Sequence, residues 1–246
     1  MPHILLPKSF SKLKYACSER RDGNMSFRHG SRPEVMKNRK RFFRKVAVAP
    51  EKIVVMNLRH STKIKFVDWR DRGFGALKPS GVKADCLVTK KSDLFLFLLT
   101  GDCLPTILYD PKKNILALAH LSRHNTDRLY AKKIITTLKN KYQCHSKNIM
   151  IAIGPAIHQK SYIKDHASQQ NKASWRPFIK KLHREKIAID LIGYNKKQLI
   201  RAGVLPSHFI VGNIDTAASR QYFSHRRSVN TGQPEGRFAT IVGINK

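Results

Sequence analysis

The sequence predicts an α+β fold, a single domain in which mixed β-sheets pack between α-helices. Three observations carry that prediction. Short β-branched or apolar runs such as "KIVVMNL", "DCLVT", "LFLFLLT", "TILYD", "NILALAH" and "FATIVGI" are bounded by Pro, Gly, Asp and Asn, which marks strands. Apolar residues at helical spacing occur between these runs without strict strand–helix alternation, against a doubly wound parallel sheet. The 246 residues contain no Pro/Gly/Ser-rich linker, no sustained change of composition and no fixed-period repeat, so one large domain is expected although the length alone would allow two.

Residues 1–22 read as a basic N-terminal segment in extended conformation, ahead of a domain over 23–246. The stretch "VMKNRKRFFRK" then predicts a helix, with Val35, Arg39, Phe42 and Phe43 at i, i+4, i+7 and i+8. Its two phenylalanines either pack into the core or stack on bases while the lysines and arginines hold phosphates. From Val46 the strand-like runs "KVAVA", "KIVVMNL" and "KIKFV" follow, and "YDPKKN" reads as a turn opened by Asp110 and Pro111 and closed by Asn114. A hairpin over 94–120 is the expected result. The clearest helix covers Asp127 to Tyr142, with Ala131, Ile134, Ile135, Leu138 and Tyr142 on one stripe and Asn125 or Thr126 as N-cap. "NIMIAIGP" is a buried strand, Trp175, Phe178, Ile179 and Leu182 outline a second amphipathic helix, and "DLIGYNKKQLIRAG" is a third that ends at Gly203. "HFIVGNI" and "FATIVGI" complete the chain as strands.

The totals exclude several classes. Four cysteines without a CxxC pair rule out a disulfide scaffold and leave reduced thiols. The longest apolar stretch is the six residues from Leu94 to Leu99, and the start "MPHILLPKSF" lacks a signal-peptide core, so a soluble cytoplasmic protein with no membrane span is expected. Lysine and arginine number 48 against 16 acids, a formal charge of +32 that would attract phosphates, nucleotides or nucleic acid. The same charge, scattered from end to end, equally suits a solvated surface.

Chemistry concentrates at strand ends. Cys103 follows the run "LFLFLLT" beside Asp102, His120 ends "NILALAH", and His60 ends "IVVMNLRH". A His, Cys, His set is acceptable to zinc and leaves the fourth tetrahedral position open, as in catalytic sites. The separations match no short zinc motif. A metal-free enzyme therefore stays open, with Cys103 as nucleophile and His120 or His60 as its base. The chain shows none of the HxH pairs of a multicopper centre, so zinc is the expected ion, with copper second on affinity grounds.

The blocks "GNMSFRHG", "NRKRF", "NLRHSTKI", "ADCLVT", "LLTGDCLPTILYDP", "LALAH", "IAIGPAI" and "NIDTAASRQYFSHRRSVNTGQPEGRFATIVGI" occur in an order that resembles the laccase-domain, or polyphenol oxidase (YfiH-like), family from about Gly23 to Ile244. That resemblance implies the fold predicted above and the activity of zinc-dependent purine nucleoside phosphorylases, which also act on adenosine and methylthioadenosine. The family's histidine of QVHG, cysteine of TADCxP and first histidine of HAGWRG fall on His60, Cys103 and His120. Leu58, Ser61 and Gly101 depart from those motifs, and "HLSRHN" replaces HAGWRG, placing His124 where the family has its guanidinium and Arg123 one residue earlier.

Phosphorolysis requires an anion held near the anomeric carbon and a stabilised leaving base. Arg39, Arg237 and His124 are the candidate substrate and phosphate ligands, because guanidinium matches phosphate oxygens bidentately. Asp102 and His225 are candidate proton carriers. The expected partners are a purine nucleoside (adenosine, inosine, guanosine or methylthioadenosine) and phosphate, and zinc-bound water would also suit adenosine deamination. The third reading, beside the phosphorylase and the cysteine hydrolase, is a nucleotide or nucleic-acid binding relative that has lost turnover, motivated by the charge and the altered "HLSRHN" loop.

Overall fold

Strands that are apolar on both faces must lie between other layers. The computed structural model, which describes residues 10–245, meets that demand with two large mixed sheets packed face to face and helices on the outside. One sheet has the order β1 (Leu13–Cys17), β14 (Phe238–Ile244), β6 (Phe95–Thr100), β2 (Ile53–Asn57) and β4 (Val82–Lys83). The other runs β13 (Phe209–Val211), β9 (Met150–Ile153), β7 (Leu104–Asp110), β8 (Ile115–Leu121), β5 (Cys86–Thr89) and β3 (Ile64–Phe66). Leu96 and Leu98 of the first share a core with Ile107, Leu116 and Leu118 of the second.

The outer faces are closed by helices. On the first sheet lies α1 (Arg32–Lys45), where Phe42 and Phe43 pack with Ile53, Phe97 and Ile241. This settles their role as core residues rather than a platform for bases. On the second sheet lie α3 (Tyr130–Tyr142) and α4 (Leu191–Arg201), joined by a small sheet of β10 (Ile163–Lys164), β12 (Ile187–Ile189) and β11 (Ile179–Lys181). α4 is capped by the Asp190 side chain and, as predicted, stops before Gly203, whose φ of 98° suits glycine. Among the described residues no helix is long and apolar enough to cross a membrane.

Several expectations are corrected. β1 pairs with β14 along its whole length, from Leu13 opposite Ile244 to Cys17 opposite Thr240. The boundary at residue 22 thus falls inside the domain, while residues 1–9 lie outside the described residues. "KVAVA" is not a strand but the end of α1 and a turn through Ala47 at φ 48°. Trp175 to Leu182 form no helix: Pro177 cannot donate to a helical ladder, and a single 3-10 turn (Arg176–Phe178) leads into β11. The aromatic spacing instead serves a cluster in which Phe178 stacks on Tyr194 and Trp175 meets its edge.

The helix expected from Asp127 is broken. A four-residue α2 (Arg123–Thr126), capped by Ser122, precedes Leu129 at φ 53°, and α3 begins after it. The hairpin is β7 with β8 alone, in a register that places Pro105 opposite His120. β6 belongs to the other sheet, so Gly101, Asp102 and Cys103 are the crossing from one sheet to the next. That crossing positions the site.

Candidate active site

The crossing, the end of β2 and the end of β8 open onto one cleft of about 420 Å³, a size suited to a small organic ligand. Cys103, His60 and His120 all line it. His120 is 1% exposed, and its ring is held by an acid that sequence reasoning left without a role. Asp85, wholly buried, accepts from His120 Nδ1 at 3.0 Å, and its main-chain oxygen accepts from His120 N at 2.8 Å. Its second carboxylate oxygen accepts from Ser61 N at 2.9 Å and Ser61 Oγ at 2.8 Å, which fastens the His60 turn to the same post. The only signal for this in the sequence was the "ADC" preceding a strand.

These contacts set the charges. Burial, the largest influence on Asp85, opposes ionisation but is outweighed by the bonds from His120 and Ser61, so its carboxyl stays below the ordinary range. Burial likewise opposes charge on His120, yet Cys103 and Asp85 prevail and push it up to about 9. Cys103 lies in hydrogen-bonding contact with that imidazole. His60 is held below its usual value by burial and by His120. It sits at the cleft rim at φ 51°, with its ring centroid 5.1 Å from that of His120 and 6.3 Å from that of His124.

The donor set suits a divalent ion. Two imidazoles bound to one tetrahedral ion have centroids roughly 5 Å apart by the usual zinc–nitrogen lengths, and the Asp85 bond leaves His120 Nε2 as the ligating atom, an orientation typical of metal-bound histidine. Among the described residues, however, no three His, Cys, Asp or Glu side chains are drawn together closely enough to enclose an ion. The three residues share the cleft without forming a finished coordination shell.

The remaining candidates divide. Asp102, at φ 141°, has both carboxylate oxygens taken: Thr216 Oγ1 donates to one and Arg226 N to the other, each at 2.7 Å. Burial raises its pKa against those bonds. It lines the cleft and ties the sheet crossing to α5 (His225–Thr231), so it positions that crossing. His225 does line the cleft, with Nδ1 on Glu235 at 2.8 Å. Arg237 lines it too, but it is paired with Glu235 at 2.6 Å. His124 lines it with a pKa lowered by burial and by Arg123 and Arg128.

Arg39 lies beside the cleft. It is 2% exposed, and its guanidinium donates to the carbonyls of Met25, Gly75 and Ala76 at 2.8–3.0 Å while lying 4.5 Å from the Phe27 ring. Burial lowers its pKa to about 10. Three main-chain oxygens take its Nε and Nη1 donors, so it braces the floor of a neighbouring recess and is not among the residues that line the cleft. That recess, lined by Phe27, Arg28 and His29, shares Leu58, His60, Leu99 and Arg237 with the cleft.

The profile of the family described as multi-copper polyphenol oxidoreductase laccase matches residues 10–245. The chain belongs to this laccase family. Among its relatives, the purine nucleoside phosphorylase YlmD of Geobacillus stearothermophilus is 29% identical over 229 residues, covering 89% of this chain and 82% of the relative. A purine nucleoside phosphorylase of Deinococcus radiodurans is 26% identical over 224 residues, covering 90% and 81%. The crystal structure of the Geobacillus stearothermophilus YlmD superposes with a TM-score of 0.89 at 26% identity, over 97% of this chain and 94% of that one. The Bacillus licheniformis protein YfiH, at 23% identity, has the same fold with a TM-score of 0.87 over 100% and 97%. The predicted α+β arrangement of mixed sheets between helices is therefore the fold of this laccase family.

Proposed function

We propose that the chain catalyses phosphorolysis of purine nucleosides in the cleft that contains Cys103 and His120. The observation that carries this reading is the meeting of a His, Cys, His donor set with several cationic side chains in a single cleft, in a chain whose relatives are named purine nucleoside phosphorylases. In the reaction a phosphate oxygen forms a bond to the anomeric carbon, the bond from that carbon to the purine nitrogen breaks, and its electron pair leaves with the base, which takes up a proton. The transition state carries positive charge on the sugar.

His60, Cys103 and His120 would hold a zinc ion, which when bound supplies a Lewis acid for a substrate oxygen. Asp85 keeps His120 in the tautomer that leaves Nε2 for binding. His225, with Nδ1 on Glu235, presents Nε2 for a proton transfer to or from the substrate. The recess lined by Phe27 extends the cleft by about 240 Å³ of space for the base. Purified protein given inosine or adenosine should release free base only when phosphate is present, with zinc measured on the same sample. Equal release without phosphate would make the reaction hydrolysis and defeat the proposal. Appearance of inosine from adenosine would add deamination at the same site.

A second reading has its own observation. Cys103, His120 and Asp85 form a chain of contacts in the order nucleophile, base, orienting acid, the arrangement that activates a thiol without metal. Metal content separates the two. Activity that survives chelation and metal-free purification but is lost on alkylation of Cys103 supports the hydrolase, and near-stoichiometric zinc that disappears in Cys103→Ala supports the phosphorylase.

A further inference from the structure

Among the described residues, three cations that line the cleft form no ion pair with a carboxylate. Arg123 in α2, Lys164 in β10 and Arg226 in α5 line it together. Arg123 gives one guanidinium nitrogen to Gln169 and Ser168, but its Nε is buried without a hydrogen-bond partner. The Nε of Arg226 is buried and unpartnered as well. Solvent in the cleft does not reach either nitrogen, so both lie in the packing behind it; what the cleft itself receives is three cationic side chains, and such a cluster calls for an anion. Nearby carboxylates do not fill the need. Asp102 is occupied by Thr216 and the main chain of Arg226, and Asp165, 90% exposed on its side chain, faces Lys186. The three repel one another as well: Lys164 has its pKa lowered first by burial and then by Arg226 and Arg123.

The other cationic groups of the cleft differ. Arg237 is neutralised by Glu235, and His124 is held toward its neutral form. Tyr162, half-buried, lines the cleft in hydrogen-bonding contact with Arg123, and burial raises its pKa, so it keeps its hydroxyl proton there. Two guanidinium forks, an ammonium and a phenol match the oxygens of a tetrahedral dianion.

We propose that Arg123, Lys164 and Arg226 form the phosphoryl-binding pocket of this protein, with Arg123 supplying from "HLSRHN" the guanidinium that His124 cannot. Its catalytic meaning rests on the phosphorolysis reading above, whereas its capacity to bind an anion does not. The pocket takes inorganic phosphate and, by the same chemistry, the phosphate of a sugar 1-phosphate.

The test uses the intact protein in two measurements. Calorimetric titration with inorganic phosphate is compared for the unmodified chain, Arg123→Gln, Lys164→Gln, Arg226→Gln and Arg237→Gln. Steady-state kinetics give KM for phosphate and for nucleoside in the same set. Each of the first three changes should weaken phosphate binding by about tenfold, the cost of one charge-assisted contact, with the nucleoside KM unchanged. Arg226→Lys should recover only part of the loss, since an ammonium lacks the fork, and this variant separates ligand loss from misfolding. Phosphate affinity that is unchanged in all three, or that falls in Arg237→Gln instead, overturns the pocket. Phosphate binding that depends on these residues in a protein without phosphate-dependent base release upholds the pocket and refutes the reaction. Phosphate-dependent base release with KM for phosphate indifferent to Arg123→Gln and Arg226→Gln does the reverse.

Discussion

Arg226 and Arg227 are adjacent in the first turn of α5, yet they do opposite work. The Arg227 guanidinium donates to the main-chain oxygens of Thr216 and Ser219 and to that of Tyr222, whereas Arg226 keeps a buried Nε with nothing to meet it. Arg39 belongs with Arg227: it is more deeply buried, and three carbonyls receive it. A buried arginine that finishes loops against one another is part of the fold, and one that lines an open cleft without a carboxylate partner among the described residues is part of a site. Residue type and charge are identical in the two cases. What distinguishes them is the supply of acceptors.

That contrast can be broken by substitution. Arg39→Met should be the most damaging change, destabilising the protein by about 3 kcal/mol or more because three buried carbonyls lose their donor, as read by urea unfolding. A cost indistinguishable from zero would remove Arg39 from the structural class. Asp85→Asn should lower zinc affinity by about 10- to 100-fold through the loosened His120, measured by competition with a chromophoric chelator. If metal affinity stays the same, Asp85 serves only the turn at Ser61. Arg227→Gln should cost about 1.5–3 kcal/mol in unfolding, the range for lost hydrogen bonds from a charged donor, and leave phosphate affinity intact. Weaker phosphate binding in that variant would erase the distinction from Arg226.

A smaller effect tests another satisfied group. Burial favours the neutral form of Asp127, but Lys172 and the Trp175 indole outweigh it and hold the carboxyl below its ordinary pKa. Because the folded value is depressed, the stabilisation is present above the unfolded carboxylate pKa and is lost as pH falls through the folded one. The contribution is under about 1 kcal/mol for so exposed a lysine partner. Asp127→Asn should flatten the acid limb of the stability profile and shift the Trp175 emission, and an unaltered acid limb would show that the bond to Lys172 contributes nothing.

Much of the fold was legible because periodicity reports burial. The long strands and the stripe of α3 carry their pattern within a few residues, and so does the end of α4 before Gly203. Trp175 to Leu182 misled because an aromatic set serving a cluster around Tyr194 has the same spacing as a helix face. At the site, Cys103 and His120 announce themselves by chemistry at strand ends. Asp85 does not, since its function depends on β5 pairing with β8, a register that brings Cys86 opposite Ala119. Lys164 is one of 48 basic residues, and only the folded chain shows which of them meet.

The passage of residues 101–103 between the sheets has a consequence for when ligands can be recognised. β6 joins β14 and β2, β7 joins β8 and β9, and Asp102 grips Thr216 and α5 from far along the chain. A half-assembled polypeptide therefore lacks the whole cleft: Cys103 and His120 meet on the β7–β8 hairpin, but His60 follows β2 of the other sheet. A ligand that needs residues from both sheets would stabilise only molecules that have already docked them, and its occupancy would act as a seal on completed folding rather than as a template for it.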